Sequence, residues 1–328
     1  MTVPDEPTLR AILELAGRAP SIHNTQPWSW SLRDGALILR ADSHRRLPQT
    51  DPVERDLLVS CGAVLHELTV SAAAAGWKTT VRRTAADLDG QVLATIAFTP
   101  HEPTPDDLRN ASAIVQRRTD RRQVSSWPVP AARLDRLRAL AERHGVVATV
   151  IPDHLRPLLR RTLAQARDVQ RLDARFLDEL LSWTGGTADG VPVANRLDQD
   201  LTHSVPPSYT RFPTGSLADT YADVAPPSPE WLVLTTASDD RDAWLRTGEA
   251  LDAMWLSCTI SGLSLVPYTQ PIEVGATRET LRRGLFEDEA CPQVVLRVGW
   301  PQHHQPPLPA TPRRPVADVL HDDLVRLA

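Results

Sequence analysis

The feature that most constrains the fold is a pattern of one long helix followed by two strands, which occurs twice. From residue 54 to 75 the sequence ERDLLVSCGAVLHELTVSAAAA is apolar on more than one face, as is typical of a buried helix. In the second half, DAWLRTGEALDAMWLSCTIS has the same character. A strand pattern follows each helix, and a second strand pattern follows later. The chain therefore contains two units of similar order.

Glycines mark the same register in both units. Gly62 is followed fourteen residues later by Gly76, and Gly248 is followed fourteen residues later by Gly262. The coincidence of glycines, apolar register and following strands predicts an internal duplication, with two fused copies of a domain-sized unit. The apolar positions between the glycines also align: Leu65 with Leu251, and Leu68 with Met254.

The other elements follow from shorter patterns. An apolar stripe predicts a helix over residues 7–18 that Pro20 ends, and a second helix rich in Arg and Leu over about 155–182. Alternation and turn residues predict strands at GALILRAD, GWKTTVR, QVLATIAFTP, WLVLTTASDD, GLSLVPY and PQVVLRVGWP.

Composition excludes several classes of function. A net charge of −5 with 41% hydrophobic residues is typical of a globular protein and argues against a nucleic-acid or anionic-membrane binder. The three cysteines are scattered and predict neither a disulfide framework nor a metal site. The polar start MTVPDEPTLR and the lack of an uninterrupted apolar run of about 18 residues predict a cytoplasmic protein without a membrane segment.

Small polar side chains are concentrated at the end of the first helix. The stretch APSIHNTQPWSW places Ser21, Asn24 and Gln26 between two prolines and two tryptophans. His23 lies among them, and its alternative roles are to donate a proton or orient a substrate, or else only to position the backbone or face solvent.

Arginines form two further motifs. RRTDRR covers residues 117–122, and TPRRP contains Arg313 and Arg314. We expect Arg117, Arg118 and Arg121 to lie on one or two adjacent faces of a helix end. Forked guanidinium groups bind phosphate oxygens bidentately, although an arginine run also forms solvated basic patches.

Together, APSIHNTQPW, RRTDRR, GLSLVPYTQ and TPRRP resemble the nitroreductase superfamily of FMN proteins, and specifically its Acg-type branch. The resemblance implies an α+β fold in which mixed or antiparallel sheets are covered by helices. It also implies two nitroreductase-like halves in one chain, over residues 1–104 and 105–328, which form an internal pseudo-dimer.

The resemblance assigns a role to the segment after the first helix. It implies that Pro20, Ser21 and Asn24 contact the flavin ring or its ribityl chain, while Gln26 and Trp28 position the segment.

It also implies a phosphate site. Arg117 and Thr119 would bind the FMN phosphate with Arg118 nearby, and Arg313 and Arg314 would complete the site.

The flavin ring would be held by other residues. Arg121 would lie at the pyrimidine edge, and Thr269 and Gln270, after Pro267, would offer backbone N–H groups near N5 and O4. Because the first half carries the PSxxNxQPW segment and the second half carries RRTDRR, we predict one FMN per chain, built between the halves.

Residues 183–229 match neither half. This Pro/Gly-rich stretch contains Trp183, Tyr209, Phe212 and Tyr221, and these aromatic residues favour a lid over a disordered linker.

The predicted function is an FMN-dependent oxidoreductase that transfers hydride between NAD(P)H, the flavin and an electron-poor small molecule, such as a nitroaromatic, a quinone or an enone. The alternative is a non-enzymatic protein that sequesters or stores FMN under a closed lid. An internal pseudo-dimer removes one reason to dimerise, so we expect a monomer or a weak homodimer.

Overall fold

The computed structural model describes residues 3–84, 91–184, 189–198, 211–219, 226–302 and 305–321. The elements of the first part of the chain are, in order, α1 (Glu6–Ala16), β1 (Trp28–Arg33), β2 (Ala36–Ala41), α2 (Arg55–Ala74), β3 (Trp77–Arg83), β4 (Val92–Pro100) and α3 (Pro105–Gln116). The elements of the second part are α4 (Ala131–Glu142), β5 (Val147–Val150), α5 (Arg156–Arg171), α6 (Ala174–Ser182), β6 (Glu230–Thr236), α7 (Arg241–Ile260), β7 (Ser264–Tyr268), α8 (Gln270–Glu273), α9 (Gly275–Phe286), β8 (Cys291–Gly299), α10 (Val316–Val319) and β9 (Leu320–His321).

These strands form two sheets with matching order. The first sheet runs β3-β4-β2-β1-β9, and the second runs β7-β8-β6-β5 when read from the corresponding edge. Neighbouring strands are antiparallel, except that β9 joins β1 in parallel. Strand β9 therefore returns the end of the second half to the sheet of the first.

The long helices α2 and α7 cross at two glycines. A Cβ atom added to Gly62 would lie 1.9 Å from the carbonyl oxygen of Leu245, and one added to Gly248 would lie 1.9 Å from that of Val59. Val59 lies three residues before Gly62, and Leu245 lies three residues before Gly248. Each glycine therefore meets the equivalent position of the other helix, as in an isologous interface between two identical subunits. The duplication stays a prediction, and this crossing is the geometry it requires.

The core is divided between the two sheets. Trp28 and Trp30 of β1 pack with α1 and α2 on one face of the first sheet. The second sheet is covered on both faces, because Leu232 and Leu234 point towards α4 and α7 while Val233 points towards α5 and α9. This two-sided burial explains why β6 reads as a continuous apolar run.

The structure corrects two expectations from the sequence, on where α1 ends and on the long helix after β5. Helix α1 ends at Ala16, before Pro20. The helix predicted over about 155–182 is two helices, because Asp173 caps α6 by accepting hydrogen bonds from the N–H groups of Arg175 and Phe176. Helix α2 is long and apolar enough to cross a membrane by length and composition. However, 72% of its apolar stretch is buried inside the protein, as in a core helix.

Candidate functional site

A cavity lies where α2 and α7 meet the turn after α1, the segment after α3, the β7–α8 connection, the insertion and the C-terminal segment. It brings together most of the residues singled out in the sequence. Those that line it are Pro20, Ser21, His23, Asn24, Arg117, Arg118, Thr119, Arg121, Pro267, Thr269, Gln270 and Arg313. Gln26 and Arg314 are not among its lining residues.

The turn after α1 has a strained backbone. His23, Asn24 and Gln26 have φ angles of 47°, 56° and 50°, which non-glycine residues rarely adopt. Hydrogen bonds from the Ile22 N–H to Ser60 Oγ (3.0 Å) and from the Gln26 N–H to Ser21 Oγ (2.9 Å) hold this conformation. Such strain persists where the surroundings over-determine it, and it is concentrated at functional sites.

Asn24 connects the turn to two other segments. Its Nδ2 donates to the carbonyl oxygens of Gly190 (2.9 Å) and Pro312 (3.1 Å), and its Oδ1 accepts from Arg313 Nη1 (2.9 Å). The side-chain amide therefore ties the insertion and the C-terminal segment to the cavity wall.

Gln26 and Arg314 stabilise the outside of the same turn. Gln26 Oε1 accepts from the Arg314 N–H at 2.8 Å, and Arg314 Nη1 donates to the Gln26 and Trp28 carbonyl oxygens and to Asp42. Arg314 therefore positions the turn after α1 without lining the cavity. This corrects the expectation that it completes a phosphate site.

Four arginines meet at one end of the cavity: Arg18, Arg117, Arg118 and Arg313. Arg117 and Arg313 both donate to the carbonyl oxygen of Arg18, at 2.9 and 2.8 Å. Arg117 is buried and stacks over the Trp255 ring at 4.7 Å. The run 117–122 lies beyond the end of α3 and is not helical, which corrects the expected helix-end arrangement.

The positive charge of this arginine cluster is poorly compensated. Among the described residues, the ion pair between Arg117 Nε and Glu67 Oε1 at 3.7 Å is the only one within 4.0 Å of these four groups. Within the part of the chain that the structure describes, the buried Nε atoms of Arg18, Arg117 and Arg313 have no hydrogen-bond partner. Burial, followed by the charge of Arg117, lowers the pKa of Arg313 to about 9. An anion bound here would relieve both the repulsion and the unsatisfied donors.

A second group of cations lies at the β7–α8 end of the cavity. Arg121 is partly buried and lies over the Phe212 ring at 4.9 Å. It donates to the Asn195 carbonyl oxygen, and desolvation lowers its pKa to about 10. Arg211 contacts His23 Nε2 at 3.0 Å and Thr269 Oγ1 at 3.2 Å.

His23 is neutral in this environment. Burial, followed by the charges of Arg211 and Arg121, lowers its pKa well below the usual value. A guanidinium group can only donate, so Nε2 accepts from Arg211 and the proton resides on Nδ1. That Nδ1 is buried without a partner in the described structure, so His23 offers a hydrogen-bond donor.

Carboxyl groups lie beside these cations. Arg211 pairs with Glu273 at 2.5 Å, and Asp56 lines the cavity with its Oδ1 unpartnered among the described residues. Burial, followed by repulsion from Asp51, raises the pKa of Asp56 well above its usual value. Burial therefore favours the protonated form of the Asp56 carboxyl group.

The described part of the insertion covers the cavity. Phe212 contacts the His23 ring edge to face, with 5.4 Å between centroids, and is only 8% exposed. Asn195 anchors the insertion by donating to the Pro309 carbonyl oxygen at 3.0 Å. Trp183 lies under the Arg45 guanidinium group, which pairs with Asp189. Tyr209 and Tyr221 lie outside the described residues.

The sequence analysis missed three charged residues at the cavity: Arg18, Asp56 and Arg211. Arg18 follows α1 and Asp56 begins α2, where single charges read as ordinary helix-end residues. Arg211 lies in the insertion, which has no periodicity to orient it. No local pattern identifies any of them, because their proximity depends on the packing of the two halves.

Comparisons with known proteins identify the family. A Mycobacterium tuberculosis protein named as an NAD(P)H nitroreductase is 39% identical over 329 residues, covering 98% of this chain and 94% of that protein. The M. tuberculosis protein Acg, also named as an NAD(P)H nitroreductase, is 34% identical over 317 residues, covering 95% of each chain. No family model matches the chain.

Among solved structures, the FMN-dependent nitroreductase NfnB from Mycobacterium smegmatis in complex with NADPH aligns with 14% identity and a TM-score of 0.42, covering 65% of this chain and 98% of that one. The sequence relatives decide the family: the chain belongs to the NAD(P)H nitroreductases, in the group that includes Acg. The predicted family resemblance and the predicted α+β fold class are therefore confirmed.

Proposed function

We propose that this protein is an FMN-dependent oxidoreductase, which accepts hydride from NAD(P)H and passes it to an electron-poor small molecule. One observation carries the proposal. Four arginines meet at one end of a cavity that also holds a neutral histidine and further cations; among the described residues, three of the four have an unsatisfied buried donor, and a single carboxylate lies within 4.0 Å of them. The relatives are named as NAD(P)H nitroreductases, which agrees with hydride transfer from NAD(P)H.

The described residues suit a flavin phosphate at the arginine cluster. A phosphate monoester carries about −1.5 to −2 charge at pH 7, and each charged hydrogen bond contributes about 1.5–3 kcal/mol. Arg18, Arg117, Arg118 and Arg313 would hold the phosphate, with the hydroxyl group of Thr119 beside them. The unsatisfied Nε atoms are the donors that a phosphate would satisfy.

Other residues suit the ring. Val59, Ala63 and Leu251, on the two crossing helices, form an apolar wall of the cavity. Arg121 would stabilise negative charge on the pyrimidine part, and the β7–α8 connection at Thr269 and Gln270 would lie at the polar edge. When bound, FMN supplies the hydride chemistry, which the protein tunes through charge and hydrogen bonds around the ring.

The residues of this chain also prepare the site for an acceptor. The neutral Nδ1–H of His23 can donate a hydrogen bond to an acceptor oxygen without adding a charge, and so can the carboxyl group of Asp56 in the protonated form that burial favours. Nitroaromatics, quinones and enones all gain negative charge on oxygen during reduction. We therefore propose acceptors of this class.

A second candidate function is the sequestration of FMN. The position of Phe212 against His23 and Arg121, together with the anchoring of Asn195 and Gly190, favours a closed insertion. A closed insertion would protect a bound flavin from reductants and acceptors.

Anaerobic addition of NADPH to the FMN-loaded protein tests the proposal. Bleaching of the visible flavin bands, followed by reoxidation with a quinone, is the expected result. Flavin that resists NADPH but is reduced by dithionite would favour sequestration. A protein that takes up no FMN would contradict both functions.

A further inference from the structure

A pair of buried carboxyl groups lies behind the arginine cluster and does not line the cavity. Glu67 on α2 and Asp252 on α7 both have 0% of their surface exposed. Glu67 Oε1 is 3.7 Å from Arg117 Nε, beyond hydrogen-bond distance. Among the described residues, neither Glu67 oxygen receives a hydrogen bond from a charged or polar donor, and neither does Asp252 Oδ1. Buried carboxylate oxygens without donors are costly, so this pair needs an explanation.

A shared proton explains the pair. Asp252 lies beside Glu67, because its Oδ2 is 2.7 Å from Nδ1 of His66, the residue before Glu67, and its charge acts on the Glu67 carboxyl group. Two ionised carboxylates can only accept hydrogen bonds. Burial, followed by the charge of Asp252, raises the pKa of Glu67 well above its usual value, whereas Arg117 and Arg313 act in the opposite direction. With one proton between the two groups, an oxygen of one carboxyl group donates to an oxygen of the other, which gives a partner to two of the three unpartnered oxygens.

The pair reaches solvent on the side away from the cavity. Asp252 Oδ2 lies 2.7 Å from His66 Nδ1, and the His66 side chain is 16% exposed. The His144 ring packs against His66 with 5.6 Å between centroids. A proton can therefore move between solvent and the carboxyl pair through His66, without crossing the ligand cavity.

The charged groups around Glu67 come from several elements. Asp252 faces it from α7, Arg117 from the end of α3, and Arg313 from the C-terminal segment. Arg18 and Arg118 lie near Arg313, and their charges add to the positive charge on this side of Glu67. On the other side lie His66, His144 and Arg83, the last of which pairs with Glu249 at 2.8 Å.

We propose that Glu67 and Asp252 hold one shared proton, and that this proton determines how tightly the arginine cluster binds a phosphate group. The inference rests on the proposed FMN site. When the proton is present, the guanidinium groups face a neutral Glu67 and are available to the phosphate. When it is lost, an ionised Glu67 competes for Arg117 and Arg313 and repels the incoming phosphate.

The consequence is a specific dependence on pH. Above pH 7 a phosphate ester is already almost fully ionised, since its second pKa is about 6. Further loss of affinity with rising pH must then come from the protein or from the ring. Loss of one proton from the carboxyl pair lowers the affinity by at most about tenfold per pH unit.

The test measures the affinity of the apoprotein for FMN and for riboflavin from pH 7 to pH 8, below the pKa of about 9 at which Arg313 itself loses its charge. We expect the FMN affinity to fall as the pH rises, while the riboflavin affinity stays level, because riboflavin has no phosphate. Glu67→Gln should bind FMN at pH 8 as tightly as at pH 7. Asp252→Asn should give the same level profile, and it serves as the second variant if Glu67→Gln does not fold.

Glu230→Gln is the matched control. Glu230 is a partly buried carboxylate on β6 that pairs with Arg156 at 2.8 Å and does not line the cavity. Its variant should keep the pH dependence of the wild-type protein. An FMN affinity that is independent of pH in the wild-type protein and unchanged in Glu67→Gln would overturn the inference while leaving the FMN site in place. Absence of FMN binding at every pH would instead contradict the proposed function.

Discussion

At the scale of single residues, the protonation state of His23 follows from its neighbours. Arg211 fixes Nε2 as an acceptor, and burial between two guanidinium groups keeps the ring neutral. The protonation state of His23 could therefore not be predicted from the motif PSIHNTQPW. One of the two arginines that determine it, Arg211, lies 188 residues away in the insertion.

This neutral state predicts a dependence of stability on pH. The pKa of His23 is lowered in the folded protein, so below about pH 6.5 the unfolded chain binds a proton that the native protein does not. His23 should therefore cost about 1.4 kcal/mol of stability per pH unit as the pH falls below 6.5. Denaturant unfolding between pH 7.5 and 5.5 should show a shallower loss in His23→Asn than in the wild-type protein. Parallel pH profiles would show that His23 titrates normally.

Arg117 gives a second prediction at this scale. Replacing it with alanine removes one charged contact to the phosphate, worth about 1.5–3 kcal/mol, so FMN affinity should fall about ten- to a hundredfold. Riboflavin affinity should change little. The control is Arg109→Ala, which changes an exposed arginine on α3 that pairs with Asp106. Equal losses for FMN and riboflavin would place the phosphate elsewhere.

The arginines also show where prediction from sequence ends. The motifs RRTDRR and TPRRP identify Arg117, Arg118 and Arg313, which do line one cavity. They do not distinguish Arg313 from Arg314, because adjacent residues in an extended segment point to opposite sides. Arg18 carries no motif at all, and only the packing of α1 against the second half brings it to the cluster.

At the scale of elements, the crossing of α2 and α7 depends on the absence of two side chains. A Cβ atom at Gly62 or at Gly248 would lie 1.9 Å from a backbone carbonyl oxygen of the other helix, which no side-chain movement can relieve. We expect Gly62→Ala and Gly248→Ala each to destabilise the protein by at least about 3 kcal/mol, or to prevent folding.

Gly275→Ala is the control for this prediction. Gly275 begins α9, and a Cβ atom there meets nothing within 4 Å. The melting temperature of Gly275→Ala should match that of the wild-type protein. Wild-type stability in Gly62→Ala would mean that the helices do not cross this closely.

The insertion supports a prediction about access to the cavity. Phe212 covers the space between His23 and Arg121, so Phe212→Ala should increase the rate at which NADPH reduces bound flavin and at which bound FMN exchanges. Leu181→Ala, on the exposed side of α6, is the control. Stopped-flow reduction and exchange against free FMN measure both rates. Unchanged rates in Phe212→Ala would show that this part of the insertion does not limit access.

Most elements could be predicted from periodicity, and the failures have physical reasons. The strand patterns at GALILRAD, GWKTTVR and WLVLTTASDD match β2, β3 and β6. Strand β1 was missed because WSWSLR directly follows the polar turn, and its tryptophans read as part of that motif. The break between α5 and α6 was missed because the apolar stripe continues on both sides of Asp173.

At the scale of the whole molecule, the cavity belongs to both halves. The turn after α1 and helix α2 come from the first half, whereas the arginine run, α7 and the β7–α8 connection come from the second. The matching strand orders and the reciprocal glycine contact support our proposal of two fused copies that have diverged into complementary parts. One chain would then carry a complete site without a partner subunit, and we propose a monomer or a weak homodimer.

The most direct test of this account is the stoichiometry of FMN binding, measured by titrating a known concentration of apoprotein and following flavin fluorescence. We predict one FMN per chain, with riboflavin bound much more weakly because it cannot use the arginine cluster. Two equivalents of FMN per chain would mean that each half builds its own site. Equal affinity for FMN and riboflavin would mean that the arginine cluster serves another purpose.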